Sequence, residues 1–399
     1  MAERAALPGR GEEILRMQSA LGRAALSAAQ RERLADWYEE ASRPADGAAR
    51  GPGLGPGLGL DLEPGLDLEL ELDERQVVAL LTRPFSRRPD IPEYYRYTSL
   101  HVYDWFLTLY RQDPLEAGLT AIRATLVDLA ERERAPLTLP GYGPAEAAER
   151  RARLAELIGE LDRLLTPPWG AADQRLDRRL QVLVRCTGLP QSAVHHEHLF
   201  LRSVHACEVA FFLTRWSACR AVVAIAAGDR EAALRHTGRT ADCAELLSGV
   251  LRVLRTLSPE QFLSFREATG AASAVQSLNY HLAELAVYGY DPRKAGIFLH
   301  LGHLRQLNEQ PLRDLWPLRA AIAAARDPEL TAALGLVERS LLVWRGRHYG
   351  FGRSHLPHEV KGSGGTEGAG YLKRIVDKEI CTTGPPAPVP EAMFRFALS

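Results

Sequence analysis

Leu334, Val337, Leu341, Trp344 and His348 follow one another by steps of three and four, so a helix over them carries an imidazole inward at the end of an apolar face. A neutral imidazole in such a place is what a five-coordinate haem iron takes as its proximal ligand. It is also what a core histidine satisfied by backbone carbonyls looks like, and the periodicity does not choose between them. A second segment, SPEQFLSFREATGAASAVQSLNYHLAEL over 258 to 285, places Phe262, Phe265 and Arg266 on one helical turn. An Arg there can clamp a carboxylate bidentately while two rings hold a flat apolar group, or it can pair at the surface with Glu260 or Glu267. The run Lys361-Gly362-Ser363-Gly364-Gly365-Thr366 offers backbone N–H groups and hydroxyls to a small anion or to the amino acid end of a ligand, and it lacks the Gly-Lys-Ser/Thr ending of a Walker loop.

His195, His196 and His198 stand together, with His205 further along and His355 and His358 near the end of the chain. No H-E-x-x-H occurs, and no carboxylate recurs at ligand spacing beside them, which argues against a non-haem metal site.

Helices must position these groups. From residue 75 onward the periodicity is helical nearly everywhere and the β-branched clusters are too short to build a sheet, so the class is all-α. The spacing predicts helices over 12–42, 98–111, 115–133, 144–166, 174–187, 194–227, 229–256, 272–288, 311–325 and 328–346, with a Gly-rich loop and a short helix after residue 349. The segment from His198 to Gly228 is apolar on more than one face yet carries charges, which makes it a core helix. Residues 51–74, repetitive in Gly, Pro, Leu and acid, read as a flexible linker. The expected organisation is an N-terminal helix over 1–50, that linker, an accessory helical region over 75–190, a second helical domain over 191–380 and an extended tail over 381–399.

Lys and Arg total 49 against 50 for Asp and Glu, interspersed, so no global field favours nucleic acid or an anionic membrane. The five cysteines show no C-x-x-C spacing, the N-terminal residues lack a signal-peptide core, and no stretch runs 18 apolar residues without a charge. A cytoplasmic protein is expected.

Four pieces, taken in order, resemble landmarks of the tryptophan 2,3-dioxygenase superfamily: HHEHLFLRSVHACE, PEQFLSFREATGAASAVQSLNY, LVWRGRH and KGSGGTEGAGYL. They cover about residues 194 to 375. The resemblance implies a helical haem domain in which His348 ligates the iron of haem b, with Trp344 and Gly364 beside it. It also implies that Arg266 binds a substrate carboxylate, that Phe262 and Phe265 pack against the substrate, and that Ser363 stands for the family's threonine. Two registers compete on the first piece. The favoured one puts His205 at the distal position with Leu201 facing the substrate; the other puts Val204 there with Phe200 facing it. Phe262 replaces a tyrosine usual in the family, the span from Arg266 to His348 is shorter, the loop from His348 to Ser363 is one residue longer and contains Pro357, and Tyr94 to Leu107 match the family's N-terminal helix.

The implied activity is oxygenation of tryptophan or a related aromatic amino acid by dioxygen, either ring cleavage to N-formylkynurenine or hydroxylation, with a homo-oligomer, a tetramer by analogy, as the expected assembly. Without the resemblance, a non-catalytic helical interaction protein fits the same pattern.

Overall fold

A computed structural model describes residues 6–43, 73–88, 91–134, 142–165, 174–355, 369–378 and 388–396. In chain order the α-helices are α1 (Gly11–Ser19), α2 (Ala28–Ala41), α3 (Glu74–Thr82), α4 (Glu93–Thr98), α5 (Leu100–Thr108), α6 (Pro114–Arg132), α7 (Pro144–Leu164) and α8 (Gln174–Thr187). They continue with α9 (His195–Ala226), α10 (Arg230–Leu254), α11 (Pro259–Arg266), α12 (Leu278–Tyr288), α13 (Ala295–His300), α14 (Leu318–Ala325), α15 (Pro328–His355) and α16 (Ala369–Arg374). No strand occurs among the described residues, and the fold is all-α.

The centre is α9, a helix of 32 residues buried on nearly every face. It packs against α6, α10, α12 and α14, while α10 carries α15 on its other side. By length and composition α9 is apolar enough to cross a membrane, but most of it lies inside the protein, as a core helix does. Two of its buried charged residues, Arg202 and Glu208, are paired with groups on neighbouring helices. Arg202, wholly buried, donates to Asp128 of α6 at 2.6 Å and to Thr187 of α8 at 2.7 Å. Burial alone would raise the Asp128 carboxyl; Arg202 and Arg132 hold it below the usual carboxylate range instead.

Local chemistry sets the helix boundaries. The expected helix over 12–42 is two helices, because Gly22 turns the chain at φ 83° and Ser27 then opens α2 with a reciprocal capping box. The helix expected from residue 98 begins at Leu100, after Ser99 in the left-handed region at φ 54°. Buried Arg23 holds that break, donating to the carbonyls of Arg96 and Tyr97 and to the Ser99 hydroxyl. The helix expected from residue 272 starts at Leu278, capped by Ser277, and the one expected from 311 starts at Leu318, after Pro317.

In the other direction, α15 runs on to His355 rather than stopping at 346. Its glycines cost helix propensity, but Gly352 is where α16 comes close, a Cβ there meeting Leu372 at 3.0 Å. Helix α3 begins at Glu74, capped by Asp73, inside the stretch read as linker, whose residues 51–72 lie outside the described ones. The described part of the tail is not simply extended: a 3-10 turn over Glu391–Phe394 buries Met393, and the Phe396 ring meets Phe212 edge-on at 5.4 Å.

A charge hub fastens the segment after α16 to the core. Glu284 of α12 takes Lys294, takes Lys378 at 2.8 Å, and faces Arg345 of α15 at 3.6 Å. Arg345 also donates to the Val376 carbonyl, and Arg293 to those of Arg374 and Asp377. Burial by itself would raise the Glu284 carboxyl, but Lys294, Lys378 and Arg345 keep it well below the usual range, while burial pulls the Lys294 ammonium down to about 8. Because its folded-state pKa is depressed, Glu284 contributes stability that is fully present above the unfolded carboxylate pKa and is lost as pH falls toward the folded value. We predict that Glu284→Gln, which leaves Lys294 and Lys378 buried without their counter-charge, lowers the unfolding free energy by about 3–5 kcal/mol near neutral pH. The difference between variant and wild type should shrink as the buffer is taken below about pH 4, measured by urea unfolding at each pH.

Candidate active site

His348 lies on the inward stripe of α15, half-buried, with its ring stacked on Trp344 at 5.1 Å and 22°. Neither ring nitrogen bonds to a described residue, and desolvation lowers the imidazole to about 4, so it is neutral at physiological pH. One turn back, buried Trp344 meets Phe211 edge-on at 5.1 Å and Tyr280 at 5.6 Å, and its indole N–H has no partner among the described residues. One and two turns forward, Phe351 and His355 stack at 3.8 Å. Phe262 of α11 reaches Phe351 at 6.1 Å and His355 at 5.9 Å, and it continues into Phe265 at 5.5 Å and Phe200 of α9 at 5.5 Å. His348 thus stands between two aromatic clusters, one toward the middle of α15 and one at its end.

Helix α9 is buried almost without interruption from Leu199 to Leu213 except at Phe200, Val204 and Cys207, which are half-buried. Steps of four and three put these residues on one stripe, and the next residue on it, Phe211, touches Trp344. His205 is about 140° round the helix from Phe200 at 3.6 residues per turn. It is wholly buried on the far side, its Nε2 on the Thr98 carbonyl at 2.7 Å and its ring 5.0 Å from Tyr103. Burial lowers its pKa well below the ordinary value, and the other nitrogen has no partner among the described residues. Leu201 is likewise wholly buried, about 100° from Phe200. The register expected for the distal residue is therefore corrected: the residues on the stripe are Phe200 and Val204, not Leu201 and His205.

Phe262, Phe265 and Arg266 do come together on α11, where Ser258 forms a capping box with Gln261. The rings point into the core and Arg266 is half-buried at the helix end, its carbonyl accepting from Thr269. Ser363 and Gly364 lie outside the described residues, as does His358.

His195 and His196 are committed elsewhere, and His198 has its buried Nδ1 without a hydrogen-bond partner among the described residues. His195 bonds Glu133 at 3.1 Å, and His196, lowered to about 4 mainly by burial, faces Arg150. Among the described residues no group of three His, Cys, Asp or Glu could hold a metal ion. Arg150, wholly buried over the Tyr142 ring, donates to Glu133 and to Thr256, and at 3.3 Å to Gln261. Helices α6 and α7 thereby brace the start of α11. On the other side, Gln276 accepts from the Tyr94 backbone N–H at 3.0 Å, while Glu208 takes the Tyr94 hydroxyl at 2.7 Å and the Asn279 amide at 3.1 Å. The Gln-Ser-Leu-Asn-Tyr run is thus a bracket joining α4, α9 and α12. Phe211, Tyr280, Phe351 and His355 were not singled out as pocket residues from the sequence. The step from 344 through 348 and 351 to 355 carries the signal for the last two.

A family profile described as tryptophan 2,3-dioxygenase matches residues 175–291, which include α9, α10, α11 and α12. Over these residues the chain is similar to the tryptophan 2,3-dioxygenase family. It is 26% identical over 229 residues to a tryptophan 2,3-dioxygenase of Bradyrhizobium sp. (strain ORS 278), covering 47% of this chain and 82% of the relative. To the enzyme of that name from Ruegeria pomeroyi it is 27% identical over 233 residues, covering 48% and 83%. A third, from Bradyrhizobium sp. (strain BTAi1), is 33% identical over a shorter stretch, 24% of this chain and 34% of the relative.

His205→Leu removes the donor to the Thr98 carbonyl. Its expected cost is about 1–3 kcal/mol in denaturant unfolding. The aromatic pocket should be unaffected, with fluorescence quenching on haemin titration matching wild type.

Proposed function

We propose that the chain is a haem-dependent oxygenase acting on an aromatic amino acid of the tryptophan type. The observation that carries this reading is His348, neutral, half-buried and without a hydrogen-bond partner among the described residues, stacked on Trp344, which meets Phe211 of α9, and placed on α15 between two clusters of rings. Haem b would be held by His348, which offers a lone pair to iron, with Trp344, Phe211, Val204 and Phe351 as apolar neighbours for a flat macrocycle. When bound, the haem supplies the activation of dioxygen. The protein's own residues do the rest. Arg266 holds the substrate carboxylate from the end of α11, Phe262, Phe265 and Phe200 flank its ring, and Ser363 completes the binding of its amino acid end. The closed aromatic wall keeps water from the reacting ring. By likeness to enzymes named tryptophan 2,3-dioxygenase, the favoured substrate is tryptophan and the favoured outcome is insertion of both oxygen atoms across the indole C2–C3 bond.

A second reading, hydroxylation with one oxygen atom, draws on a specific observation. The strip of α9 offers Val204 rather than a histidine, and Phe262 brings no hydroxyl, so neither supplies a base for the substrate N–H. Reduced protein incubated with tryptophan or tyrosine, labelled dioxygen and an external reductant distinguishes the two by product mass. A gain of two labelled atoms on tryptophan supports ring cleavage, and a gain of one rejects it.

Haemin titrated into the purified chain should give a stoichiometric Soret band that His348→Ala abolishes. A band of undiminished intensity in that variant would sink the ligand assignment. Arg266→Ala should keep the band while tryptophan affinity falls by about ten- to a hundredfold, the loss of a charge-assisted bidentate contact. Loss of haem in that variant would instead refute the role given to Arg266.

A further inference from the structure

His355 is the second histidine on the inward stripe of α15, two turns beyond His348, and it is buried. Its Nε2 lies 2.8 Å from the Leu257 carbonyl, which can only accept, so that nitrogen carries a proton. Leu257 is the residue immediately before Ser258, the cap of α11. On the other side of the ring, Nδ1 lies 2.9 Å from the Ser354 hydroxyl and 3.0 Å from the Phe351 carbonyl. The faces of the ring are used as well: it stacks on Phe351 at 3.8 Å and 21° and meets Phe262 edge-on at 5.9 Å and 87°.

We propose that His355 is a positioning residue that ties the end of α15 to the root of α11, and so sets where Phe262 and Arg266 stand relative to His348. The proposal rests on reading α11 as the substrate helix, but its geometry does not depend on haem. Helix α11 is only 8 residues long and begins at a cap, so it has little internal stability of its own. Arg150 holds it from the α7 side through Gln261, and His355 holds it from the α15 side through Leu257. Displacing either anchor shifts the two aromatic rings and the arginine as a unit. His355 also links the two halves of the site directly, since one helix bears the proposed iron ligand and the other the proposed carboxylate clamp.

Hydrogen–deuterium exchange on the full chain, with neither haem nor amino acid added, tests the tie. His355→Phe keeps the stack on Phe351 and removes the donor to Leu257; His355→Gln keeps a donor of similar reach. The expected result is exchange at the amides of Phe262 to Arg266 at least about tenfold faster in His355→Phe, with α10 unchanged and His355→Gln within about threefold of wild type. Exchange in α11 unchanged in His355→Phe, or a uniform rise through α9, α10 and α11 together, would overturn the proposal. Because haem and substrate are absent, a failed haemin titration would defeat the proposed function while the exchange rates still decide whether His355 anchors α11. If haem does bind, His355→Phe should also weaken tryptophan binding by about tenfold at unchanged Soret intensity, with His355→Gln restoring it; full affinity in His355→Phe would likewise overturn the proposal.

Discussion

Burying α9 on nearly all sides is the constraint from which the rest of the molecule follows. A helix of 32 residues that carries Arg202, Glu208 and Arg215 through the core can exist only if each neighbour supplies the matching group. Helix α6 supplies Asp128 to Arg202, α4 and α12 supply Tyr94 and Asn279 to Glu208, and the C-terminal segment offers the Arg395 carbonyl to Arg215. These bonds are orientation-specific in a way that apolar packing is not, and they fix the rotation of α9 about its axis. That rotation in turn decides which residues of the helix meet the pocket.

The pocket is then the place where this burial is left incomplete. Phe200, Val204 and Cys207 are the half-buried residues of that stretch, and their stripe runs on to Phe211, which meets Trp344 one turn before a histidine whose nitrogens are unclaimed among the described residues. The two aromatic clusters bound the opening along α15, one built on Trp344 and the other on Phe351 and Phe262. A site formed as a gap between elements held by other contacts is pre-organised: its walls are set before a ligand arrives, and binding need not pay for ordering them.

Much of this was legible in the sequence. Helices α8 and α10 fell within two residues of their expected limits, because Gly, Pro and Asp act locally. The stripe ending in His348 and the grouping of Phe262, Phe265 and Arg266 also follow from periodicity. The errors arose where a distant residue decides a local matter. Nothing near Ser99 announces that Arg23 will stabilise a left-handed turn there, and the glycines after Gly346 argue for a helix end unless the packing of Leu372 on Gly352 is known. The rotation of α9 is of the same kind. His205 is the residue whose chemistry best suits a distal position, yet the partners of Arg202 and Glu208 turn it toward Thr98.

The hub around Glu284 constrains how the chain can change over time. Its three cations come from the turn just before α13, from α15 beside the proposed iron ligand and from the segment after α16, and all converge on one carboxylate. Replacing any one of them by a neutral residue alters the charge balance for the others, so the viable routes are concerted ones in which acid and bases are exchanged as a set. That cluster therefore acts as a ratchet: residues elsewhere can change one at a time, while the frame around Glu284 cannot move by single steps.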